Sequence, residues 1–142
     1  MEKEFKISDC LHRLVKEMYR SIRLKMAKYG ITPQQGRIIR FLALKNEEAI
    51  FQKDIEDFLN IRKSSVSNII KNMEKTGFII RSQVPNDARL KRIELTPAGR
   101  AIHEDVQLNN LMIEAKMREN LSEQEIEILE MILKKIQSNL EN

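Results

Sequence analysis

The sequence predicts a mainly helical α+β fold: a winged helix-turn-helix with a small β-hairpin wing, and N- and C-terminal helices that form a dimerisation domain. Three observations predict this fold. Aromatic residues make up only 5% of the 142 residues, with four Gly and three Pro, a composition typical of helical proteins. Apolar residues recur at helical spacing near both ends of the chain. Positive charge is concentrated in the middle of the chain.

The charge distribution predicts the kind of partner. The segment from Arg62 to Arg92 has eight basic and two acidic side chains, a net charge of +6, whereas the whole chain carries +4. Residues 93–142 carry −5. A positive field confined to one part of the chain predicts a polyanionic partner, such as double-stranded DNA.

Composition also excludes several classes of protein. One cysteine, Cys10, and two histidines make neither an intramolecular disulfide nor an ordinary structural zinc site, so we expect no metal and no cofactor. The sequence has no nucleophile paired with a base and no phosphate-cradling glycine loop, which argues against an enzyme. No apolar run approaches the roughly 18 residues that span a bilayer, and the mixed-charge start of the chain is unlike a signal peptide. We therefore expect a cytoplasmic protein without a membrane partner.

The first two helices have clear boundaries in the sequence. An amphipathic helix is predicted over residues 7–29, ended by Gly30, which tolerates the left-handed conformation. Thr32 and Gln35 form a predicted capping box for a second helix that continues to Leu44. The apolar face of the first helix supplies the predicted dimer contacts Leu11, Leu14 and Met18.

Two short helices follow, in a helix-turn-helix arrangement. After a short apolar segment, Ala49–Phe51, that could pair as a strand, residues 52–58 predict a brief helix with Ile55, Phe58 and Leu59 inward. The recognition helix is predicted over about residues 62–76, with apolar positions at i, i+3, i+4 and i+7. Those apolar positions are Val66, Ile69, Ile70 and Met73.

The first turn of the recognition helix is rich in short polar side chains that allow the backbone to approach base edges. The alternative is that the serines only cap the helix. Because Arg62 occupies the predicted N-cap position, we favour DNA contact, with Asn68 able to pair with adenine. The predicted DNA-binding residues of this helix are Arg62, Lys63, Ser64, Ser65, Ser67, Asn68 and Lys71.

A basic hairpin is predicted next, over about residues 78–95. Two strands, residues 78–84 and 90–95, are joined by the turn-forming residues 85–88. The cations Arg89, Lys91 and Arg92 lie at its tip and on its return strand, where an arginine suits a narrow minor groove. Asp87 is positioned to hold Arg89 extended through a charge-assisted bond.

The C-terminal part predicts two more helices. Thr96 and Pro97 begin one that continues to about residue 119, with candidate apolar contacts at Ile102, Val106, Met112 and Ile113. Ser122 and Glu125 form a capping box for the last helix. Its apolar positions follow an alternating 3 and 4 spacing, and we favour pairing with a second copy over packing inside one chain. These predicted dimer contacts are Ile126, Leu129, Leu133, Ile136 and Leu140, with Ile132 beside them.

The hairpin motif resembles that of the MarR family of winged helix-turn-helix regulators. The family's wing pattern, D-x-R-x-K-x-x-x-L-T-x-x-G, is matched at every fixed position from Asp87 to Gly99. Upstream, Ser65-Val66-Ser67 and the segment from Met73 to Ile79, MEKTGFI, are similar to the family's recognition helix and its exit. Ile31–Gln35 is similar to the start of the family's second helix. The resemblance covers essentially the whole chain.

The resemblance implies a homodimer in which residues 1–30 and 100–142 form the dimerisation domain and residues 31–99 bind DNA. It implies that Asp87 orients Arg89 in the minor groove of a pseudo-palindromic site while the recognition helix enters the major groove. Many members are repressors released by small phenolic or other anionic effectors, although no residue here identifies such a ligand. We therefore expect a dimeric, sequence-specific DNA-binding regulator of the repressor type. The alternative is a winged-helix interaction protein that has lost sequence-specific binding and acts through its dimer surface.

Some members sense peroxides through a cysteine in the first helix. Cys10 lies about two residues from the expected position, which turns it by roughly 200° around the helix and favours an incidental thiol. His12 and His103 are too few for the zinc sites of zinc-responsive relatives, so solvated or packed histidines are expected.

Overall fold

In the computed structural model, which describes residues 4–45 and 47–142, six helices and one two-stranded antiparallel sheet follow one another along the chain. The elements are α1 (Ile7–Lys28), α2 (Pro33–Leu44), α3 (Gln52–Leu59), α4 (Lys63–Lys75), β1 (Ile79–Val84), β2 (Asp87–Leu95), α5 (Pro97–Arg118) and α6 (Glu123–Glu141). The predicted winged helix-turn-helix is confirmed, with α3 and α4 as its helices and the β1–β2 hairpin as its wing. The start of the mixed-charge N-terminal stretch, residues 1–3, and Asn46 lie outside the described residues.

The buried core lies in the middle of the chain. The chain divides into two compact units, one reaching to Asn109 and the other comprising Asn110–Asn142. Every buried hydrophobic residue in the described ranges lies between Ile31 and Ile102, whereas α1 and α6 contain none. The core consists of Ile31, Ile38, Ile39, Leu42, Ile50, Ile55, Leu59, Val66, Ile70, Met73, Ile79, Ile93 and Ile102.

The junction of α1 and α2 follows the sequence closely. Gly30 has a positive φ of 69°, as a residue that ends a helix in the left-handed region does. The Thr32 side chain accepts a hydrogen bond from Gln35 N, and the Gln35 side chain accepts one from Thr32 N, both at 3.2 Å. The predicted capping box is therefore confirmed.

The helix-turn-helix turns at Asn60, whose φ of 53° is left-handed. Helix α4 then begins after Arg62, whose side chain makes no capping bond, as predicted. The prediction that Phe58 points inward is wrong: it is 39% exposed and stacks on Phe41, with ring centroids 4.5 Å apart. Because α3 has only eight residues, its buried face is filled by Ile55 and Leu59.

The wing is longer on its return strand than predicted. Asn86 has a φ of 74°, so Pro85 and Asn86 alone make the turn and pairing resumes at Asp87. The register then shifts, because Val84 pairs with Asp87 but Gln83 pairs with Lys91. The three residues 88–90 therefore have no partner on β1. Ala49–Phe51 does not form a strand, but Ile50 O accepts a hydrogen bond from Ile93 N at 2.8 Å and Phe51 forms a single bridge with Arg92.

Hydrogen bonds and a close backbone approach explain the residue types of the L-T-P-A-G segment at the end of the wing. The Thr96 hydroxyl donates to Gly77 O at 2.5 Å and accepts from Gly99 N at 3.1 Å. A Cβ on Gly99 would lie 2.3 Å from Phe78 O, which no side chain tolerates without a backbone shift. Thr96 and Gly99 thus join the exit of α4 to the start of α5.

The last helix also begins as predicted. Ser122 and Glu125 form reciprocal capping bonds of 3.1 Å at the start of α6. In α5, Ile102 is buried, whereas the suggested contact Met112 is 70% exposed. No helix within the described ranges combines the length and the apolar character that crossing a membrane requires.

Candidate nucleic-acid interface

The leading turn of α4 presents short polar side chains to solvent. Ser64, Ser65 and Asn68 are exposed, while Val66 on the opposite face is fully buried in the core. The helix N-terminus lacks a side-chain cap, so its first backbone N–H groups and the positive end of the helix dipole are not satisfied by a capping side chain. This end of α4 is suited to an anionic, hydrogen-bonding surface. The predicted basic residues Arg62, Lys63 and Lys71 are also exposed.

Ser67 differs from the other residues of this turn. Its hydroxyl accepts a hydrogen bond of 2.8 Å from Gln52 Nε2, at the start of α3, and both residues are half-buried. This bond fixes the two helices of the helix-turn-helix relative to each other. Sequence periodicity gave no indication of Gln52, because it depends on how two helices cross.

At the wing tip, a hydrogen bond holds the backbone of Arg89. Asp87 Oδ1 accepts a hydrogen bond of 2.9 Å from Arg89 N, rather than pairing with the guanidinium as predicted. In the described part of the chain Arg89 has no ion-pair partner, and its side chain is exposed. Asp87 therefore shapes the unpaired segment 88–90 and leaves the Arg89 charge available to a ligand.

Arg92 is not brought together with Arg89 and Lys91. Its Nε lies 2.9 Å from Glu94 Oε1, but the N–H is not directed at that oxygen and has no other acceptor among the described residues. Arg92 lines a cavity of about 190 Å³ with Lys45 and Glu48, on a different side of the wing from Lys91. Successive residues of a strand point to opposite faces, which explains the separation of Lys91 and Arg92.

A basic groove joins the two helices and the wing. It has a volume of about 400 Å³ and is lined from α3, α4, β1 and β2. Its cations outnumber its single carboxylate, Glu56, so its potential is positive. Three of its cations, Lys63, Arg89 and Lys91, were predicted from the sequence, whereas Lys53 and Arg81 were not.

Arg81 is joined to the end of the recognition helix. Its Nε and Nη2 donate to the two carboxylate oxygens of Glu74, each at 3.0 Å. These hydrogen bonds lower the pKa of Glu74, and the charge of nearby Lys91 lowers it further. The carboxylate is therefore ionised at neutral pH. Opposite charges seven residues apart were visible in the sequence, but only the hairpin geometry brings them together.

The predicted dimer residues lie on surfaces that the chain itself leaves open. On α1, Leu11 and Met18 are half-buried and Leu14 is exposed. On α6 the predicted residues are half-buried or exposed, namely Ile126, Leu129, Leu133, Ile136 and Leu140.

Among the described residues, Cys10, His12 and His103 belong to no metal-ligating cluster. Cys10 is a half-buried free thiol, and His12 is exposed. Burial lowers the pKa of His103, and the charges of Arg100 and Arg40 lower it further. Among the described residues, no group of three or more His, Cys, Asp or Glu side chains could hold a metal ion.

Comparison with known proteins identifies related sequences. The family model described as MarR family matches residues 29–90, which contain the helix-turn-helix and the wing tip. The chain is 37% identical over 77 residues to the HTH-type transcriptional regulator FarR of Neisseria gonorrhoeae. It is 31% identical over 80 residues to the homoprotocatechuate degradative operon repressor of Escherichia coli. These matches cover 54% and 56% of the chain and about half of each relative, 51% and 53%. The relatives are regulators rather than enzymes.

Solved structures extend the similarity to nearly the whole chain. The Staphylococcus aureus MepR–DNA complex is 28% identical, with a TM-score of 0.84, and the match covers 94% of this chain and 98% of that one. MepR bound to ethidium bromide is 29% identical, with a TM-score of 0.77 and coverage of 96% and 98%. The similarity thus includes the helices on both sides of the winged segment.

Proposed function

Because the chain belongs to the MarR family of transcriptional regulators, we propose that it is a dimeric, sequence-specific DNA-binding regulator. The observation that carries the proposal is the basic groove, which unites α3, the N-terminus of α4 and the wing on one side of a single buried core. A DNA backbone that passes between a recognition helix and a wing needs such a groove, since most protein–DNA hydrogen bonds go to phosphate and sugar. The DNA complex of MepR supports the same use of the fold.

Each part of the module has a distinct task in this proposal. Helix α4 enters the major groove, where Ser64, Ser65 and Asn68 reach base edges and Lys63 meets phosphate. Arg89 enters the adjacent minor groove, with its backbone held by Asp87. Because the wing tip carries the charge and α4 carries the hydrogen-bonding side chains, affinity and sequence preference should separate in mutants.

A second copy of the chain completes the functional unit. Helices α1 and α6 have apolar faces but no buried residue in the single chain, which supports their use in a dimer interface. A two-fold axis would present the two copies of α4 to half-sites about one helical turn apart. The DNA site would therefore be pseudo-palindromic.

We further propose that the regulator is a repressor released by a small anionic or phenolic effector. The repressor name of the Escherichia coli relative supports the direction of regulation. The ethidium bromide complex of MepR supports binding of a small aromatic molecule, although ethidium is a cation. Loss of operator binding on addition of phenolic acids would support this part of the proposal, and unchanged binding across such a panel would contradict it.

The experiment that tests DNA recognition starts from the genome of the source organism. Fragments selected by the purified protein should share a pseudo-palindrome, and duplexes that carry it should outcompete random duplexes of equal length. If the dimer makes about eight phosphate contacts, log affinity should fall with log salt concentration at a slope of about −7. Equal competition by random duplexes would favour an interaction protein that acts through its dimer surface.

Arg89→Ala provides the direct test of the wing. We expect binding to weaken by about tenfold or more, because a specific arginine contact contributes about 1–3 kcal/mol. Arg92→Ala is the matched control on the same strand, since its guanidinium lies beside Glu94 and on a different side of the wing from Lys91, and we expect a smaller loss. Unchanged affinity for Arg89→Ala would contradict the role assigned to the wing.

A further inference from the structure

A bidentate ion pair between Glu74 and Arg81 joins the recognition helix to the wing. Glu74 lies in the last turn of α4 and Arg81 in β1, and their side chains are 39% and 23% exposed. Two parallel N–H···O bonds of 3.0 Å fix both the distance and the plane of the guanidinium. A single point contact would fix only the distance. The pair can therefore set the angle at which the wing leaves the helix.

Local helix physics does not explain why a carboxylate is at this position. The C-terminal end of a helix carries partial negative charge, so an acidic side chain in the last turn is unfavourable by itself. The Glu74 carboxylate is compensated from outside the helix, by Arg81 and by the charge of Lys91 on β2. Both of those residues belong to the wing. Glu74 is thus adapted to the wing and not to its own helix.

The pair also affects the charge of the basic groove. Arg81 lines that groove together with Lys63, Arg89 and Lys91. Two of its hydrogen-bonding groups are committed to Glu74, so its charge is partly neutralised, whereas Arg89 forms no ion pair in the described part of the chain. A free Arg81 would attract phosphate of any sequence. The pair therefore limits non-specific attraction while it holds the wing.

We propose that Glu74 and Arg81 are positioning residues that determine specificity, because they hold the wing at the angle at which Arg89 and the α4 side chains contact DNA together. This inference rests on the function proposed above and names two residues that have no base contact in it. The pair therefore acts on the ratio of operator to random DNA affinity, and it acts through Arg89.

The first measurement compares dissociation constants for the selected operator and for a random duplex of equal length at one salt concentration. Glu74→Gln keeps the shape of the side chain but loses the charge, and it should weaken operator binding about tenfold, within the usual range of coupling between contacting residues. Random-duplex affinity should stay the same or rise, because Arg81 is released. Arg81→Lys keeps the charge but not the fork, so it should lose operator affinity to a similar extent.

The second measurement repeats Glu74→Gln in an Arg89→Ala background. If the pair acts through the wing, the tenfold effect should fall to less than about twofold there, since coupled sites are not additive. Glu114→Gln is the control, because it removes another glutamate paired with an arginine, Arg118 Nε to Glu114 Oε1 at 2.9 Å, outside the winged segment. It should leave both affinities unchanged. Thermal unfolding of each variant verifies that the chain remains folded.

Three results would overturn the inference. They are additive effects of Glu74→Gln and Arg89→Ala, equal losses on operator and random DNA, and full operator affinity in Arg81→Lys. Each of these leaves the wild-type preference for the operator intact, so the proposed function would stand. A wild-type protein that does not distinguish the operator from random DNA would overturn the proposed function and this inference together.

Discussion

The winged segment and the terminal helices use amphipathic sequence in opposite ways. Between Ile31 and Ile102, nearly every apolar face predicted from helical spacing contains a buried side chain. Val66, Ile70 and Met73 of α4 have no exposed surface. Helices α1 and α6 have the same kind of spacing but bury nothing completely. Periodicity therefore reports that a face needs a partner, without indicating whether the same chain supplies it.

We expect this difference to give the two regions different roles. A core that is complete within one chain keeps α4 and the wing in a fixed arrangement, which a surface that recognises DNA requires. If a second copy covers the apolar faces of α1 and α6, as proposed, the stability of these helices should depend on protein concentration. Mutations in the core of the winged segment should therefore change the free energy of unfolding. Mutations on the apolar faces of α1 and α6 should instead change self-association.

The largest effect is expected from a cavity in the winged core. Met73→Ala should lower the free energy of unfolding by about 2–5 kcal/mol, because Met73 is fully buried against the core. Leu133→Ala on α6 is the matched variant from the other region, where the side chain is 40% exposed. Denaturant unfolding at several protein concentrations should show a loss for Met73→Ala at every concentration, and a loss for Leu133→Ala that grows with concentration. Equal, concentration-independent losses would remove the distinction between the two regions.

The second-largest effect is expected on self-association, without loss of the fold. Leu133→Glu places a charge on the apolar face of α6 and should weaken self-association by about a hundredfold, since an unpaired charge at an apolar interface costs roughly 3 kcal/mol. The winged segment should remain folded, because no α6 residue belongs to its core. Sedimentation velocity gives the mass, and circular dichroism gives the helix content.

Ser138→Glu provides the control for that variant. It introduces the same side chain into α6, beside Lys134 and Lys135 on the polar face. Its mass in solution should match that of the wild type. If Leu133→Glu also keeps the wild-type mass, α6 does not contribute the interface and the dimer proposal must be revised.

Features that depend on residues close together in the chain could be predicted from the sequence. Contacts that depend on how separate helices and strands pack could not. The capping bonds of Thr32 and Ser122 depend on residues three apart, and both are present. The wing motif could be located because Thr96 and Gly99 satisfy a constraint within a few residues of each other in the chain. Such features follow from short spacing and need no knowledge of the tertiary arrangement.

The candidate interface was less predictable for the same reason. The separation of Arg92 from Lys91 follows from the alternation of successive strand residues, whereas the unpaired segment 88–90 depends on the register shift at Gln83 and Val84. The contacts of Ser67 with Gln52 and of Glu74 with Arg81 join separate elements, so no single helical or strand period contains them. Phe58 was misplaced because a helix of eight residues has an apolar face too short to bury three large side chains.

The smallest effect concerns His103, which is half-buried and follows the buried Ile102 on α5. Burial lowers its pKa first, Arg100 and Arg40 lower it further, and Glu104 opposes them, so the folded chain resists protonation more than the unfolded chain does. Its contribution to stability should therefore be complete above the unfolded histidine pKa of about 6.5 and should be lost as pH falls below that value. His103→Gln should flatten the decline of the unfolding midpoint between neutral and mildly acidic pH. His12→Gln removes the other imidazole from an exposed position of α1 and serves as the comparison. A decline that is as steep in His103→Gln as in the wild type would show that the packing around α5 does not exclude the proton.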